Sequence, residues 1–185
     1  MRQEQRFFPG VSVFVSLLWL VLGPSSDLGA AEFRVKIADD RLSIVLPAGW
    51  METDLNAGDV LAGFATQDNR SSVFFREIEA GLGGSMQDLM DGTIFNFEQR
   101  FEIADDGEVK TGQVQGPGEK MWPAIFTTLE ATVTKGTESF EMRFYVLIFD
   151  TGERLYTVQA STTKPIREAR ERQIYEMIRS IIAKS

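Results

Sequence analysis

The sequence contains neither histidine nor cysteine. Without cysteine there is no disulfide, no thiol redox chemistry and no lipid-bearing cysteine at a processed N-terminus. Without histidine the Ser-His-Asp and Cys-His nucleophilic systems are excluded, together with the common zinc sites. The side chain best suited to proton transfer near neutral pH is missing as well. Positive charge is also in short supply. Lys and Arg number 19 against 27 Asp and Glu, a net charge of −8. That balance disfavours nucleic acid and anionic membrane surfaces as primary partners.

Long apolar runs are confined to the N-terminus. Arg2 and Arg6 lie in a short polar opening, and an apolar run from Val11 to Leu22 follows, ending at Gly23-Pro24. Small residues, Gly29-Ala30-Ala31, come next. Positive start, apolar centre and small-residue end are the three parts of a secretory signal peptide. A permanent span needs about 20 apolar residues, so this run is short for one. The pattern predicts a signal peptide over 1–31, cut after Ala31, and a mature protein that is exported and not integral to the membrane. An uncleaved anchor is the alternative. The remaining 32–185 has the commonest size for one domain, about 150 residues, and can bury a core without staples.

From Phe33 onward apolar and polar residues alternate, predicting strands over Phe33–Ile37, Leu42–Leu46, Val60–Thr66 and Val73–Ala80. The period then changes. Ser85, with Asp88 three places on, forms an N-cap signature, and Met86, Leu89, Met90, Phe97 and Phe101 follow at helical spacing. The spacing predicts a helix from Met86 to Phe101. A strand near Glu108–Val114 and a Gly/Pro-rich loop, Gln115–Pro123, lead into three long strands: Ala124–Thr134, Ser139–Phe149 and Arg154–Ser161. The second half of the middle strand is apolar on both sides, as expected of a central strand covered on each face. Thr162 or Thr163 is expected to cap a final helix with Ile166, Ala169, Ile174, Met177, Ile178 and Ile181 on its buried side. The class is α+β, with a largely antiparallel sheet and helices packed on it.

This layout resembles the PsbP-like superfamily, which takes in extrinsic photosystem proteins, a Ran-binding import factor and bacterial DcrB-like envelope proteins. The matching residues are Leu46-Pro47-Ala48-Gly49-Trp50, the helix beginning near Ser85-Met86, the meander 124–161, and the closing Ile178-Arg179-Ser180-Ile181. The resemblance implies an α/β/α arrangement, the antiparallel sheet being sandwiched between helices. It also implies a role in binding or assembly, with no shared catalytic residue. No metal site of the superfamily matches here residue by residue.

Few residues qualify for chemistry. Asp105, Asp106 and Glu108 cluster around Gly107, a candidate for a hard cation such as calcium, although the alternating acidic series of a calcium loop is absent. Asp39 and Asp40 form a second acidic pair, in the first hairpin. Solvated turn residues are the competing reading for both groups. Glu77, Glu79 and Glu130 are strand-borne carboxylates that could pair for acid–base work, or could simply face outward. Gly81-Leu82-Gly83-Gly84 stands between a strand and a helix but lacks the Lys-Ser/Thr of a phosphate loop, so it serves as a connector. No cofactor is implied.

Two features suit a partner. The final helix carries Arg167, Arg170 and Arg172, a local basic surface in an acidic protein; a solvated face laced with i,i+4 pairs is the alternative. Trp122 lies in the Gly/Pro-rich loop, where it is either an exposed anchor or a lid over the sheet end. The leading expectation is a non-catalytic exported envelope protein that binds or helps assemble a protein partner, itself an envelope or secreted protein. A divalent-metal module or carboxylate-dependent enzyme is one alternative. An adaptor or chaperone for apolar segments of a secreted protein is another.

Overall fold

The computed structural model describes residues 33–53, 60–79 and 84–184. The expected signal peptide, the expected mature start at Glu32 and the connector residues 81–83 lie outside the described residues. In chain order the first elements are β1 (Phe33–Ile37), β2 (Leu42–Leu46), β3 (Trp50–Glu52), β4 (Val60–Thr66) and β5 (Ser71–Glu79). Then come α1 (Met86–Glu98), β6 (Glu102–Asp106), β7 (Lys110–Gln115), β8 (Met121–Lys135) and β9 (Glu138–Asp150). The chain closes with β10 (Arg154–Thr163), α2 (Glu168–Arg179) and β11 (Ile182–Ala183).

The strands form one sheet in the order β1-β2-β11-β7-β8-β9-β10-β5-β4-β3, with β6 also on β8. All pairings are antiparallel except the short β11–β7 contact. β6 and β7 take consecutive stretches of the same edge of β8, so residues 102–115 run beside it as one interrupted strand. That interruption falls at Gly107, whose N–H donates to Thr128 O at 2.8 Å. A Cβ on Gly107 would stand 2.9 Å from that oxygen, so the approach admits only glycine.

β9 organises the core. Tyr145, Leu147 and Phe149 point to one face and join Trp50, Phe64, Phe75, Tyr156, Ile174 and Met177. Val146 and Ile148 point to the other and join Met90, Phe97, Ile125 and Leu129. α1 therefore lies on one face and α2 on the opposite face. Helices of 13 and 12 residues are each about 20 Å long, whereas ten strands side by side would span about 45 Å if flat. Each helix therefore covers only part of its face of the largely antiparallel sheet.

Curvature makes up the difference. β2 and β5 are six places apart in the strand order, about 29 Å in a flat sheet. Yet Arg41, at the head of β2, donates from Nη1 to Glu77 Oε2 on β5 at 2.5 Å. The sheet curls into a half-barrel with α2 on the concave side. Ile37, Leu42 and Ile44 from one end and Trp50 and Phe64 from the other meet in one cluster with α2.

Other expectations are refined. The Ser85–Asp88 capping box forms in full, with Asp88 N donating to Ser85 Oγ at 3.1 Å and Ser85 N donating to Asp88 Oδ2 at 2.9 Å. α1 stops at Glu98 rather than Phe101, because residues 102–106 pair with β8 instead. α2 begins at Glu168, not after Thr162 or Thr163, which belong to β10 and pair with Arg143 and Met142. Arg167 is its N-cap and makes no side-chain cap bond. Ala169 is exposed on α2, whereas Ile174, Met177 and Ile181 are buried as expected.

Gly116 permits the tight turn that seats Trp122. A Cβ there would stand 2.7 Å from Trp122 Nε1 and 3.1 Å from Lys120. Gly116→Ala is expected to cost about 1–3 kcal/mol by forcing the indole off its seat, while Gly112→Ala, with nothing within 4 Å, leaves stability unchanged or slightly raised. Thermal melts of the two variants check this; equal midpoints would refute the seating.

Candidate functional site

The concave face is apolar in its middle and charged at both ends, because the strands run out past the core there. At one end Glu77 accepts from Arg41 and also pairs with Arg154. At the other, near the start of α2, Glu130 on β8 pairs with Arg143 on β9, its cross-strand neighbour, and with Lys164. Arg143 Nε donates to Glu130 Oε1 at 2.9 Å and Nη1 donates to Glu171 Oε1 at 2.8 Å. Tyr145 OH donates to the same Glu171 oxygen at 3.0 Å. Two carboxylates, two cations and a phenol thus form one network linking β8, β9 and α2.

The electrostatics follow from this pairing. The Lys164 and Arg143 bonds hold the Glu130 carboxyl below the ordinary glutamate value. Burial pushes Glu77 upward, but the bond and charge of Arg41, with Arg154 behind it, outweigh burial and leave it lowered. Burial first, and the Glu171 charge second, push the Tyr145 phenol up. A general acid or base at neutral pH needs a carboxyl shifted upward, towards the working pH. Glu77 and Glu130 are shifted the other way and stay ionised. They serve here as anchors for arginines, while Glu79 is the last residue of β5.

The acidic cluster does not converge. Asp105 and Asp106 are adjacent on β6, so their side chains leave opposite faces of the strand, and both are exposed, as is Glu108. No group of three acidic residues placed to hold a metal ion occurs among the described residues. The structure thus places Asp105, Asp106 and Glu108 on the surface without gathering them into one cluster. Asp39 and Asp40 lie in the β1–β2 turn, where Asp40 pairs with Lys36 at 2.6 Å in an exposed contact, worth little.

Trp122 is not an exposed anchor. It is 5% exposed, and its Nε1–H donates to Ala183 O at 2.8 Å, pinning β11 to the sheet. The large apolar ring finds its burial over the sheet end, and Lys120 covers it at 3.8 Å from the ring centroid.

The arginines of the final helix separate into two groups. Arg167 and Arg170 are three residues apart and converge with Arg70, from the β4–β5 turn, on one small hollow that also holds Asp68. Arg170 lies 5.7 Å from the Trp50 ring centroid and donates to Gln173 at 3.1 Å. Arg172 is exposed, and helical geometry turns it well away from Arg170. Arg70 was not singled out by sequence reasoning, since only the fold brings its turn to α2. The Glu130–Arg143 pair was also missed. Its signal was present: a tight turn at Lys135-Gly136 sets 130 opposite 143.

Comparison with known proteins finds the fold. No family model and no curated protein matches the sequence. Among solved structures, the cyanobacterial PsbP protein CyanoP of Synechocystis is similar at 18% identity and TM-score 0.56, over 88% of this chain and 98% of that one. The Ran-binding protein Mog1p of Saccharomyces cerevisiae aligns at 9% identity and TM-score 0.54, over 83% and 95%. LpqN, involved in cell envelope biogenesis of Mycobacterium tuberculosis, aligns at 10% identity and TM-score 0.52, over 83% and 91%. The chain has the PsbP-like fold. Among the described residues no helix is long and apolar enough to cross a membrane.

A carboxyl whose folded value is lowered contributes stability above the unfolded value, near 4.5 for glutamate, and loses it as pH falls through the folded value. The protein should therefore keep a steady melting temperature above about pH 5 and lose stability progressively below it. Glu130→Gln is expected to be about 2 kcal/mol less stable at pH 7 and to show a flatter decline in acid. Denaturant melts from pH 7 to pH 3 measure both, and parallel curves for the two proteins would disprove the assignment.

Proposed function

We propose that this chain, built on the PsbP-like fold, is a non-catalytic accessory protein of the cell envelope that binds a protein partner. In this reading residues 1–31 are removed on export and residues from Glu32 onward act as one domain outside the cytoplasmic membrane. The observation that carries the reading is the pairing of Glu77 and Glu130 with Arg41, Arg154, Arg143 and Lys164. The interior carboxylates that could have done acid–base work are instead held ionised in structural ion pairs. LpqN, a protein of the same fold, is involved in cell envelope biogenesis, which favours an envelope role here. Mog1p, another, is a Ran-binding protein, which favours recognition of a protein by this scaffold.

The surface best suited to the partner is the one formed by Arg70, Arg167 and Arg170; Arg172, on another side of α2, is not part of it. Cations gathered at one place on a protein of net charge −8 would orient an acidic partner and speed its association. Arg170 rests on Trp50, so one guanidinium is presented on a rigid base.

The purified protein is expected to capture a partner from the envelope fraction with an affinity that falls as salt rises. Reversing charge at Arg70 and Arg167 should weaken capture at least tenfold without changing the melting temperature. Undiminished capture by the double variant would remove this surface from the reading. Turnover of an ester, glycoside or phosphate substrate, abolished by Glu77→Gln or Glu130→Gln in folded protein, would overturn the non-catalytic assignment itself.

A further inference from the structure

The partner surface runs into an open stretch of strand edge at the same end of the sheet. β9 pairs with β8 from Glu138, opposite Lys135, but with β10 only from Met142, opposite Thr163. β10 stops there, and the chain leaves through Lys164 and Pro165 for α2. Residues 138–141 of β9 are all exposed, with β8 on one edge and no described strand on the other. A backbone bond crosses the gap, Lys164 N donating to Glu141 O at 2.8 Å. Glu141 therefore turns its backbone groups to the open side, and so does Ser139, because residues of an antiparallel strand alternate in the side to which they bond.

A notch of about 690 Å³ lies along this edge, bounded on its far side by Asp68, Asn69 and Arg70 of the β4–β5 turn. Asp68, Arg70, Thr163 and Pro165 border both the notch and the hollow of Arg167 and Arg170, so the two are continuous. Their walls differ in chemistry. Phe140, 41% exposed, is on the face of β9 that carries Phe144 and Val146 to α1. α2 brings Arg167 and Arg170 from the opposite face. Neither Arg70 nor Arg167 is in an ion pair with a described residue. Arg170 touches Gln173 and the Trp50 ring, both uncharged. Asp68 is the one carboxylate bordering the hollow, and it already accepts from Thr66 Oγ1 at 2.5 Å and from Arg70 N at 3.2 Å. Three guanidiniums against one carboxylate leave the hollow positive. Thr163 Oγ1, closed off from solvent, has no hydrogen-bond partner among the described residues.

An enclosed hydroxyl without a bond is costly, and an open strand edge is a template for another strand. A positive hollow beside an exposed ring complements acidic groups set next to apolar ones. Resting on the partner-binding reading, we propose that the partner adds a short extended segment to residues 138–141 of β9, with apolar and acidic side chains alternating along it. Its backbone bonds to Ser139 and Glu141, its apolar side chains lie by Phe140, and its carboxylates turn to Arg70, Arg167 and Arg170. Strand addition of this kind draws affinity from main-chain bonds and specificity from alternate side chains. The edge offers about 13 Å of strand, short for an interface that needs about 800 Å² on each partner, so it works together with the arginine surface. A second copy of this chain would bring its own net charge of −8 to the contact, which opposes self-pairing.

Fluorescence anisotropy with the purified full chain tests it. The probe is a labelled hexapeptide of alternating Glu and Val, blocked at both ends. The controls are the same residues in two blocks, Glu then Val, and an alternating Lys and Val peptide. The alternating acidic peptide should bind at least tenfold more tightly than either control, and less tightly as salt rises. Ser139→Pro removes an edge N–H that β8 does not use, and should weaken binding at least tenfold with little change in melting temperature. Phe140→Thr and Arg167→Glu should each weaken it through one face of the segment. Glu141→Gln, which removes a carboxylate lining the notch, should tighten it. Equal binding of the three peptides, or binding indifferent to Ser139→Pro and Phe140→Thr in folded protein, would overturn the proposal. Capture of an envelope protein that is lost on reversing Arg70 and Arg167 yet survives Ser139→Pro would overturn strand addition and leave the partner surface standing. Peptide binding of the expected pattern with no capture from the envelope would support the notch and count against the envelope role. A dimer of this chain that the peptide dissociates would assign the edge to a second copy and overturn the proposal.

Discussion

Residues 144–149 of β9 are apolar on both sides, and neither side can face water without losing the burial that makes the strand stable. On one side α1 answers this need with Met90 and Phe97. On the other, Tyr145, Leu147 and Phe149 are too many for a 12-residue helix to cover alone, so the sheet bends until its outer strands reach the same cluster. Trp50 from β3 and Leu42 from β2 stand near opposite ends of the strand order, yet both pack around α2. Strand twist supplies the direction of the bend, and the shared apolar cluster supplies its depth.

Closure of that bend sets where charge can go. The concave interior admits apolar side chains along its length, so ionic groups collect where the lining ends. Glu77 marks one end and Glu130 the other, each held by two cations. Ion pairs of this kind add little net stability relative to apolar packing, but removing one partner leaves an expensive unpaired charge. They therefore act less as a source of stability than as a condition on the shape: Arg41 can reach Glu77 only if β2 and β5 are brought together. The same pairing lowers both carboxyls. Curvature and the lowered titration of both carboxyls have one cause.

Much of this layout was legible in the sequence because its signals are local. Unbroken alternation from Phe140 to Ile148 announced β9, and Ser85 with Asp88 announced the start of α1. The elements that escaped are those without a local signature. β6 is five residues of mixed polarity that become a strand only because β8 is long enough to pair with it. β11 is two residues fixed by Trp122 and by β2. Trp122 itself could be read either way from a Gly/Pro-rich loop, and the carbonyl of Ala183, 61 residues away, decides for the interior. The acidic run at 105–108 drew attention through composition, whereas strand geometry sends its neighbours to opposite faces. Asp105 and Asp106 are neighbours in the chain, and the twofold period of the strand parts their side chains.

The two faces of the sheet are finished differently, and the residues of β10 show why. Tyr156, Val158 and Ala160 on its concave side are fully enclosed, as the curl requires. Its convex side carries Thr157, Gln159 and Ser161, of which Thr157 and Ser161 are buried, and Ser161 pairs with Ser72 across to β5 at 2.9 Å. Phe74, Phe101 and Phe144 remain at the margin of α1, half-buried and not enclosed. Polar side chains of β10 thus stand beside half-buried aromatic rings at the margin of α1. That arrangement is a product of the side-chain period along β10 and β5, which sends Tyr156, Val158 and Ala160 to the concave core and Thr157 and Gln159 to the other face.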